Sequence, residues 1–338
     1  MHGDKDSPHD AVLTKDDYDY YQTKRELFST ALRGDLLSKK FLFIGFSFED
    51  PNLDFVLSRI KILLETHTPE HYCFFKKVSI DDYNDENKTE EQNKLDFLYA
   101  EIKQSLKISD LKRYGINPVM LDSYSEITNI LAEIEVRTKR KNIFISGAAI
   151  DYTPFSEEQA YDFIHRLSYK LAEKEYKIVS GYGLGIGSMV INGALDFKIK
   201  SNFKSLDDLL VLRPFPQKKS SDVDFDKQRD EYRKDMISSA GIAIFIFGNK
   251  QKDDVPIYSD GMRREFDICY ENKVVPIPIA CTGFVAKELW DEVTLNIDKY
   301  LPDDSELRKA FISLGEEQVN NDILINSIIK IIGILQHK

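Results

Sequence analysis

Four alternating glycines, Gly181, Gly183, Gly185 and Gly187, stand between a strand-like run and a helix-like run. Glycine admits positive φ and lets a backbone come close to a ligand. The helix that follows offers free N–H groups and the positive end of its dipole, a combination that favours phosphate. Ser188 adds a hydroxyl. The spacing departs from G-x-G-x-x-G, so no dinucleotide fingerprint is assigned, and a tight strand-to-helix turn with no ligand accounts for the same glycines. A second cluster is charged: Arg233 and Lys234, then Asn249 and Lys250, then Arg263, Arg264 and Glu265. Arginine grips phosphate with a fork of donors, lysine supplies a point charge, and glutamate accepts from ribose hydroxyls. Together they suit an adenosine or ADP-ribose type of ligand. The alternative is a structural ion pair between Arg233 and Glu265, with Lys234 and Arg264 solvated.

The elements that must position these residues alternate in type. Lys141–Ser146, Tyr176–Ser180, Leu209–Leu212, Gly241–Phe247 and Val274–Ala280 read as strands. Ser156–Glu173 has helical spacing, with Phe163, Leu167 and Leu171 on one face and Ser156 as the N-cap. Ser188–Lys198, Phe225–Ser239 and Asp260–Glu271 read as further helices, and the last helix runs from Asp322 to about Leu335. Short apolar strands joined by helices imply a doubly wound α/β fold with a parallel sheet covered on both faces. Its ligand site belongs beyond the carboxyl ends of the strands, where Ser146, Gly181, Arg213, Gly248 and Lys250 fall.

The first 137 residues carry a thinner pattern. Phe41–Phe46, Tyr72–Phe75 and Val119–Leu121 read as strands, and Leu53–Leu64 and Glu126–Val136 as helices. Ser79–Glu91 is acidic and reads as an exposed insertion loop; Val136–Asn142 is charged and reads as a linker. Two domains are therefore expected, 1–137 and 138–338. A three-strand sheet looks like the back half of something larger.

Composition narrows the function classes. The 338 residues are 42% hydrophobic and 30% charged, with a net charge of -11. That is a globular composition, and its sign argues against a broad nucleic-acid or anionic-membrane surface. Cys73, Cys269 and Cys281 are widely spaced and odd in number, so reduced, mostly buried thiols in a cytoplasmic protein are expected, and no metal site. No apolar run approaches the roughly 20 residues of a membrane span, and the polar start of the chain is not a secretory signal.

Ile145–Ala148, the glycine loop, Tyr232–Met236 and Gly261–Glu265 resemble the SLOG superfamily of Rossmann-like domains, which is related to phosphoribohydrolases. In those enzymes an Arg-Lys helix motif and a later Glu act on an N-glycosidic bond, and Arg233 and Glu265 match those positions. The enzymes carry a second glycine-rich turn where this chain has Ser259–Arg263, so bulky side chains are expected to obstruct that phosphate cradle. Phe41–Leu53 resembles the second half of a sirtuin-like NAD-consuming domain. The resemblance implies that Gly45 and Ser47 contact the NAD ribose, and that His2, in His2–Asp4, assists loss of nicotinamide. A sirtuin-like part followed by a SLOG (STALD) part is similar to the NAD-hydrolysing effectors of the Thoeris anti-phage system. What this implies is specific. NAD is the substrate, and the SLOG domain binds a cyclic ADP-ribose isomer made by a TIR-domain partner enzyme. Binding rearranges a homotetramer and unblocks the NAD site. Arg233, Lys250 and Glu265 fall where that family places its signal-binding residues, with Ser146, Gly147, Gly183, Gly185 and Arg213 completing the expected effector site. The family's early glycine-rich turn and ribose-side Asn precede its His motif, so this chain is expected to start inside the catalytic domain and not to hydrolyse NAD alone. Two other readings stand beside this one: a sensor-only binding module, and a phosphoribohydrolase of nucleoside monophosphates.

Overall fold

The computed structural model describes residues 6, 12, 14–20, 24–46, 48, 57–58, 70–201, 205–215, 225–253, 255–315 and 320–337. The chain divides into two compact units, residues 1–131 and 132–338.

The first unit contains α1 (Lys15–Asp19), α2 (Glu26–Ser38), β1 (Leu42–Phe43), β2 (His71–Lys76), α3 (Glu90–Arg113) and β3 (Ile116–Leu121). The strands form a parallel sheet in the order β1-β2-β3. The run expected to be a strand to Phe46 stops at Phe43, because Gly45 turns the backbone to φ +66° and ends the extended path. Buried Leu36, Cys73, Leu111 and Ile116 form a small core with Phe48 and Leu57. His71 is buried among them, with its Nδ1 accepting from the Phe41 amide at 3.2 Å. The expected insertion loop is partly ordered: a 3-10 turn spans Ile80–Tyr83, and α3 already begins at Glu90. Thr89 caps α3 through a reciprocal pair of bonds with Gln92, at 3.2 and 3.0 Å. The helix expected at Leu53–Leu64 lies outside the described residues apart from Leu57 and Ser58, which are helical. The expected linker is also shorter than read, since α4 (Glu126–Lys139) carries Val136–Lys139 as its last turn.

The second unit follows its expected alternation closely: β4 (Asn142–Ala148), α5 (Glu157–Glu173), β5 (Lys177–Ser180), α6 (Gly187–Ser201), β6 (Leu210–Leu212), α7 (Phe225–Ser238) and β7 (Ile242–Phe247). A hairpin that the sequence did not disclose, β8 (Asn249–Lys252) and β9 (Val255–Tyr258), precedes α8 (Asp260–Glu271) and β10 (Val275–Pro278). Helices α9 (Phe284–Leu295), α10 (Ile297–Tyr300), α11 (Ser305–Ile312) and α12 (Asn321–Gln336) follow. Five parallel strands run β10-β7-β4-β5-β6, so strand order reverses between β4 and β7. Every residue of β7 is buried, as a central parallel strand requires. Ser156 caps α5 through a capping box with Gln159, and Phe163, Leu167 and Leu171 all face the core. No described helix is long and apolar enough to cross a membrane.

Candidate functional site

In a doubly wound sheet the crevice opens where strand order reverses, outside the carboxyl ends of the strands. A cavity of about 220 Å³ lies there, lined by the end of β4, the glycine loop after β5, Phe215 after β6, and Arg233 of α7 with Glu265 of α8. Ser146, at the end of β4, donates its hydroxyl to Glu265 Oε2 at 2.6 Å. Arg233 Nε lies 3.6 Å from Glu265 Oε1, close enough for charge attraction and too far for a hydrogen bond. The Arg233 guanidinium also stands 5.1 Å from the centre of the Phe215 ring. Arg233 is only 9% exposed, and its Nε has no hydrogen-bond partner among the described residues. A buried donor left in that condition costs free energy unless something else accepts from it. Burial pushes the Glu265 carboxyl above the usual carboxylate range, opposed by the Ser146 bond and the Arg233 charge.

The glycine loop is shaped by the protein itself. A Cβ at Gly183 would sit 1.8 Å from the Gly147 carbonyl oxygen, and one at Gly185 would sit 1.9 Å from the Ala149 oxygen at a φ of +75°. The Ala149 amide donates to the Leu184 carbonyl at 2.9 Å. The loop therefore presses against the end of β4, and glycine is demanded there with or without a ligand. Of the residues expected in this site, Ser146, Gly147, Gly183, Arg233 and Glu265 line the cavity, together with Gly181. Gly185, Arg213 and Lys250 do not. Gly185 is spent on the contact with Ala149. Arg213 is exposed and joins β5 only through its backbone amide, which donates to the Ser180 carbonyl. Lys250 leaves on the hairpin and pairs with Asp260, the first residue of α8. Its partner Asp260 stands between Ser259 and Gly261, which line the cavity.

Two expectations are corrected. Arg263 and Arg264 take no part in crowding the cradle at the start of α8, where Met262 is the bulky side chain that lines the cavity. The helix turns Arg263 to Glu292 and Arg264 to Asp230, leaving Ser259, Gly261 and Met262 at the cavity. Nor is Arg264 merely solvated: its Nε and Nη2 meet the Asp230 carboxylate at 2.9 and 2.6 Å, tying α8 to α7. That fork holds the Asp230 carboxyl below its usual range. Two residues matter more than the sequence suggested. Phe215 backs the Arg233 guanidinium, and its only signal was a place just after a strand. Asn249, fully buried, accepts from the amides of Ile150 and Asp151 at 2.9 and 3.0 Å and donates to the Asp151 carbonyl at 2.7 Å. It clamps the loop after β4 to the foot of the hairpin.

The first unit has a larger cavity, about 1010 Å³, at the carboxyl ends of its own strands. Gly45, Phe46, Phe75, Lys103, Lys107 and Tyr124 are among its lining residues. Nothing lies within 4 Å of a Cβ built at Gly45, so the backbone turn, not crowding, selects glycine there. His2 and Ser47 lie outside the described residues. The three cysteines are unpaired and buried.

Comparison with known proteins agrees with this division. Residues 126–335 match the Sir2- and TIR-associating SLOG family (STALD), and residues 1–98 match the SIR2-like domain. The chain is 44% identical to the NAD(+) hydrolase ThsA of Cytobacillus dafuensis, over 99% of this chain and 68% of that protein. It is 43% identical to the NAD(+) hydrolase ThsA of Bacillus cereus (strain MSX-D12), over 100% of this chain and 68% of that protein. The corresponding protein of Enterococcus faecium is 38% identical, over 99% of this chain and 69% of its own length. With a STALD domain over most of its length, a SIR2-like segment before it and near-full coverage by these relatives, the chain belongs to the ThsA family of NAD(+) hydrolases.

Proposed function

We propose that this protein is an NAD(+)-hydrolysing defence effector whose STALD domain senses a cyclic ADP-ribose isomer. The observation that carries the sensing role is Arg233. Its guanidinium is buried at a cavity wall with Nε unsatisfied, facing Glu265 and Ser146. A ligand phosphate supplies the missing acceptor, and Glu265 or Ser146 meets a ribose hydroxyl. Lys250 joins by exchanging Asp260 for a ligand phosphate. The signal comes from a TIR-domain partner enzyme, and the effector works as a homotetramer in the cytoplasm. The cavity of about 220 Å³ is smaller than the roughly 300–1,000 Å³ of ordinary small-molecule pockets. Binding therefore displaces the rim, where Tyr182 and Leu184 are exposed. NAD belongs to the first unit, at the cavity beside Gly45.

Calorimetric titration of the pure chain with cyclic ADP-ribose isomers tests the sensing role. Saturable binding of one isomer is expected; a folded chain that binds none refutes it. Release of nicotinamide from NAD, measured with and without the bound isomer, tests the hydrolase role, and release that rises with the isomer is expected. No release from a folded chain with the isomer bound would overturn that part alone.

One observation favours a second reading. Arg263 and Arg264 turn away from the cavity, and the buried Glu265 in its wall is placed to act on an N-glycosidic bond. Release of ribose 5-phosphate from AMP, abolished by Glu265→Gln, would select this reading over sensing.

A further inference from the structure

The loop that follows β4, Ala149–Tyr152, is held from two sides. On one side stands Asn249, the first residue of hairpin β8–β9. It is fully buried, and its single amide group accepts from the Ile150 and Asp151 N–H groups and donates to the Asp151 carbonyl. Phe247 and Gly248, just before it, have φ of +56° and +103°. A bulky residue keeps such an angle only where its surroundings hold it. On the other side stands the glycine loop. Tyr152 donates its hydroxyl to the Gly185 carbonyl at 2.8 Å, and the Ala149 amide donates to the Leu184 carbonyl at 2.9 Å. A Cβ at Gly185 would come within 2.7 Å of that hydroxyl, so the glycine makes room for Tyr152. The Tyr152 ring is fixed edge-on against Phe247 and Tyr161, with ring centres 5.6 and 5.3 Å away. Neither Tyr152 nor Asn249 lines the cavity. The glycine loop reaches it through Tyr182, Gly183 and Leu184, and the hairpin through Ser259 just beyond its second strand, whose amide donates to the Gly248 carbonyl at 2.9 Å.

We propose, resting on the sensing role given above to this cavity, that Tyr152 and Asn249 are positioning residues which tie the glycine loop to the Lys250 hairpin, so that the two move together. A ligand too large for about 220 Å³ has to displace the rim at Tyr182 and Leu184. Next to Leu184 is Gly185, whose carbonyl Tyr152 holds. Next to Tyr152 is Asp151, whose amide and carbonyl Asn249 holds. Next to Asn249 is Lys250. Each link is a peptide bond or a hydrogen bond to the backbone, and the middle link is buried, so little of a displacement is lost to side-chain rotation. A contiguous network of this kind is what carries coupling between two places in a fold. Opening the rim loosens the hairpin and frees Lys250 to exchange Asp260 for the ligand. Entry of the ligand beside Arg233 and its capture by Lys250 are then one event.

Hydrogen exchange of the ligand-free chain and calorimetry test the tie separately. Tyr152→Phe removes one hydroxyl and keeps the ring. In the ligand-free chain it is expected to speed exchange about fivefold at the amides of Ile186 and Gly187, which bond within the glycine loop, and also at Lys250 and Ser259 across the tie. The Ile244 amide in β7 should exchange as before. Acceleration of Ile244 by the same factor would make Tyr152 a support of the whole unit, and acceleration confined to the glycine loop would leave the hairpin untied; either result overturns the proposal. Calorimetry uses the isomer that saturates the wild-type chain. Lys250→Ala should weaken its binding about fivefold in the wild type, and less than about twofold beside Tyr152→Phe, where rim opening no longer releases the hairpin. Losses that multiply independently overturn the coupling. If the wild type binds no isomer, the sensing role falls, and the exchange pattern alone decides whether the tie exists.

Discussion

Residues 1–131 and 132–338 are both parallel α/β units with a cavity at the carboxyl ends of their strands, yet they bury apolar side chains differently. The STALD unit sets a five-stranded sheet inside one continuous core, with all six residues of β7 buried. The first unit has a three-stranded sheet and a short core around Cys73 and Ile116, and leaves Leu27, Leu95, Tyr99, Ile102 and Leu106 well exposed. The same local grammar of strand and helix serves two ends. In the STALD unit it closes a core beside a small cavity with Arg233 and Glu265 in its wall. In the first unit it leaves apolar side chains at the surface.

The largest test of that contrast is a pair of truncations. Phe245 is fully buried in β7, so Phe245→Ala should destabilise the STALD unit by about 3–5 kcal/mol. Leu95→Ala, on the outer face of α3, should change folding stability by no more than about 0.5 kcal/mol. Urea unfolding separates the two, because Trp290 is the sole tryptophan and its fluorescence follows the STALD unit. Equal losses would mean that the two units share one cooperative core.

Next in size comes the ligand. Arg233→Ala should weaken binding of the cyclic ADP-ribose isomer by about 1.5–3 kcal/mol, the worth of a hydrogen bond to a charged group. Lys250→Ala should cost about half as much, because its ammonium already has Asp260 as a partner and only exchanges one carboxylate for a phosphate. Calorimetry on both variants ranks them. The reverse ranking would move the phosphate from the Arg233 wall to the hairpin.

How much of this was legible in the sequence follows from the same contrast. In the STALD unit, Phe163, Leu167 and Leu171 recur at helical spacing and are buried. The run from Ile242 to Phe247 is apolar throughout and is the central strand. One-sided burial writes a period into the sequence. Helix α3 escaped notice because apolar residues occupy two opposite faces and the period cancels. Hairpin β8–β9 escaped because Asn249–Lys252 shows no alternation of apolar and polar residues. The site was legible as a set of residues and not as an arrangement. Arg233, Glu265 and Ser146 were named from motif positions, but what Arg264 and Lys250 bond is decided by partners that only the fold supplies. Asp230 lies 34 residues before Arg264, and Asp260 ten after Lys250.

A smaller effect separates the ion pairs of the two units. Asp230→Asn breaks the fork from Arg264, a pair about one-third exposed, and should cost the STALD unit about 1 kcal/mol. Asp122→Asn breaks the exposed pair with Lys77 in the first unit and should leave its urea midpoint unchanged. A sizeable loss at Asp122 would show that this pair is shielded from solvent.

The smallest effect is one of sign. His71 in the first unit has its pKa lowered from 6.5 by burial, so the fold prefers the neutral ring. The unfolded chain then binds more protons, and the stability it lends is present at neutral pH and lost as pH falls below 6.5 through the folded value. Glu265 in the STALD unit has its pKa raised from 4.5, also by burial, so the fold prefers the protonated acid. Its contribution is present below 4.5 and lost as pH rises through the folded value. One physical cause, burial, therefore gives the two units opposite slopes at these positions. Measured between pH 4.5 and 7.5, the stability of wild type relative to His71→Gln should rise with pH. Relative to Glu265→Gln it should fall, because glutamine has no ionisation to be penalised. A flat difference for Glu265 would mean that the attraction of Arg233 and the bond from Ser146 offset burial in full. The guanidinium would then already be satisfied by the carboxylate, and Arg233 would need no acceptor from a ligand.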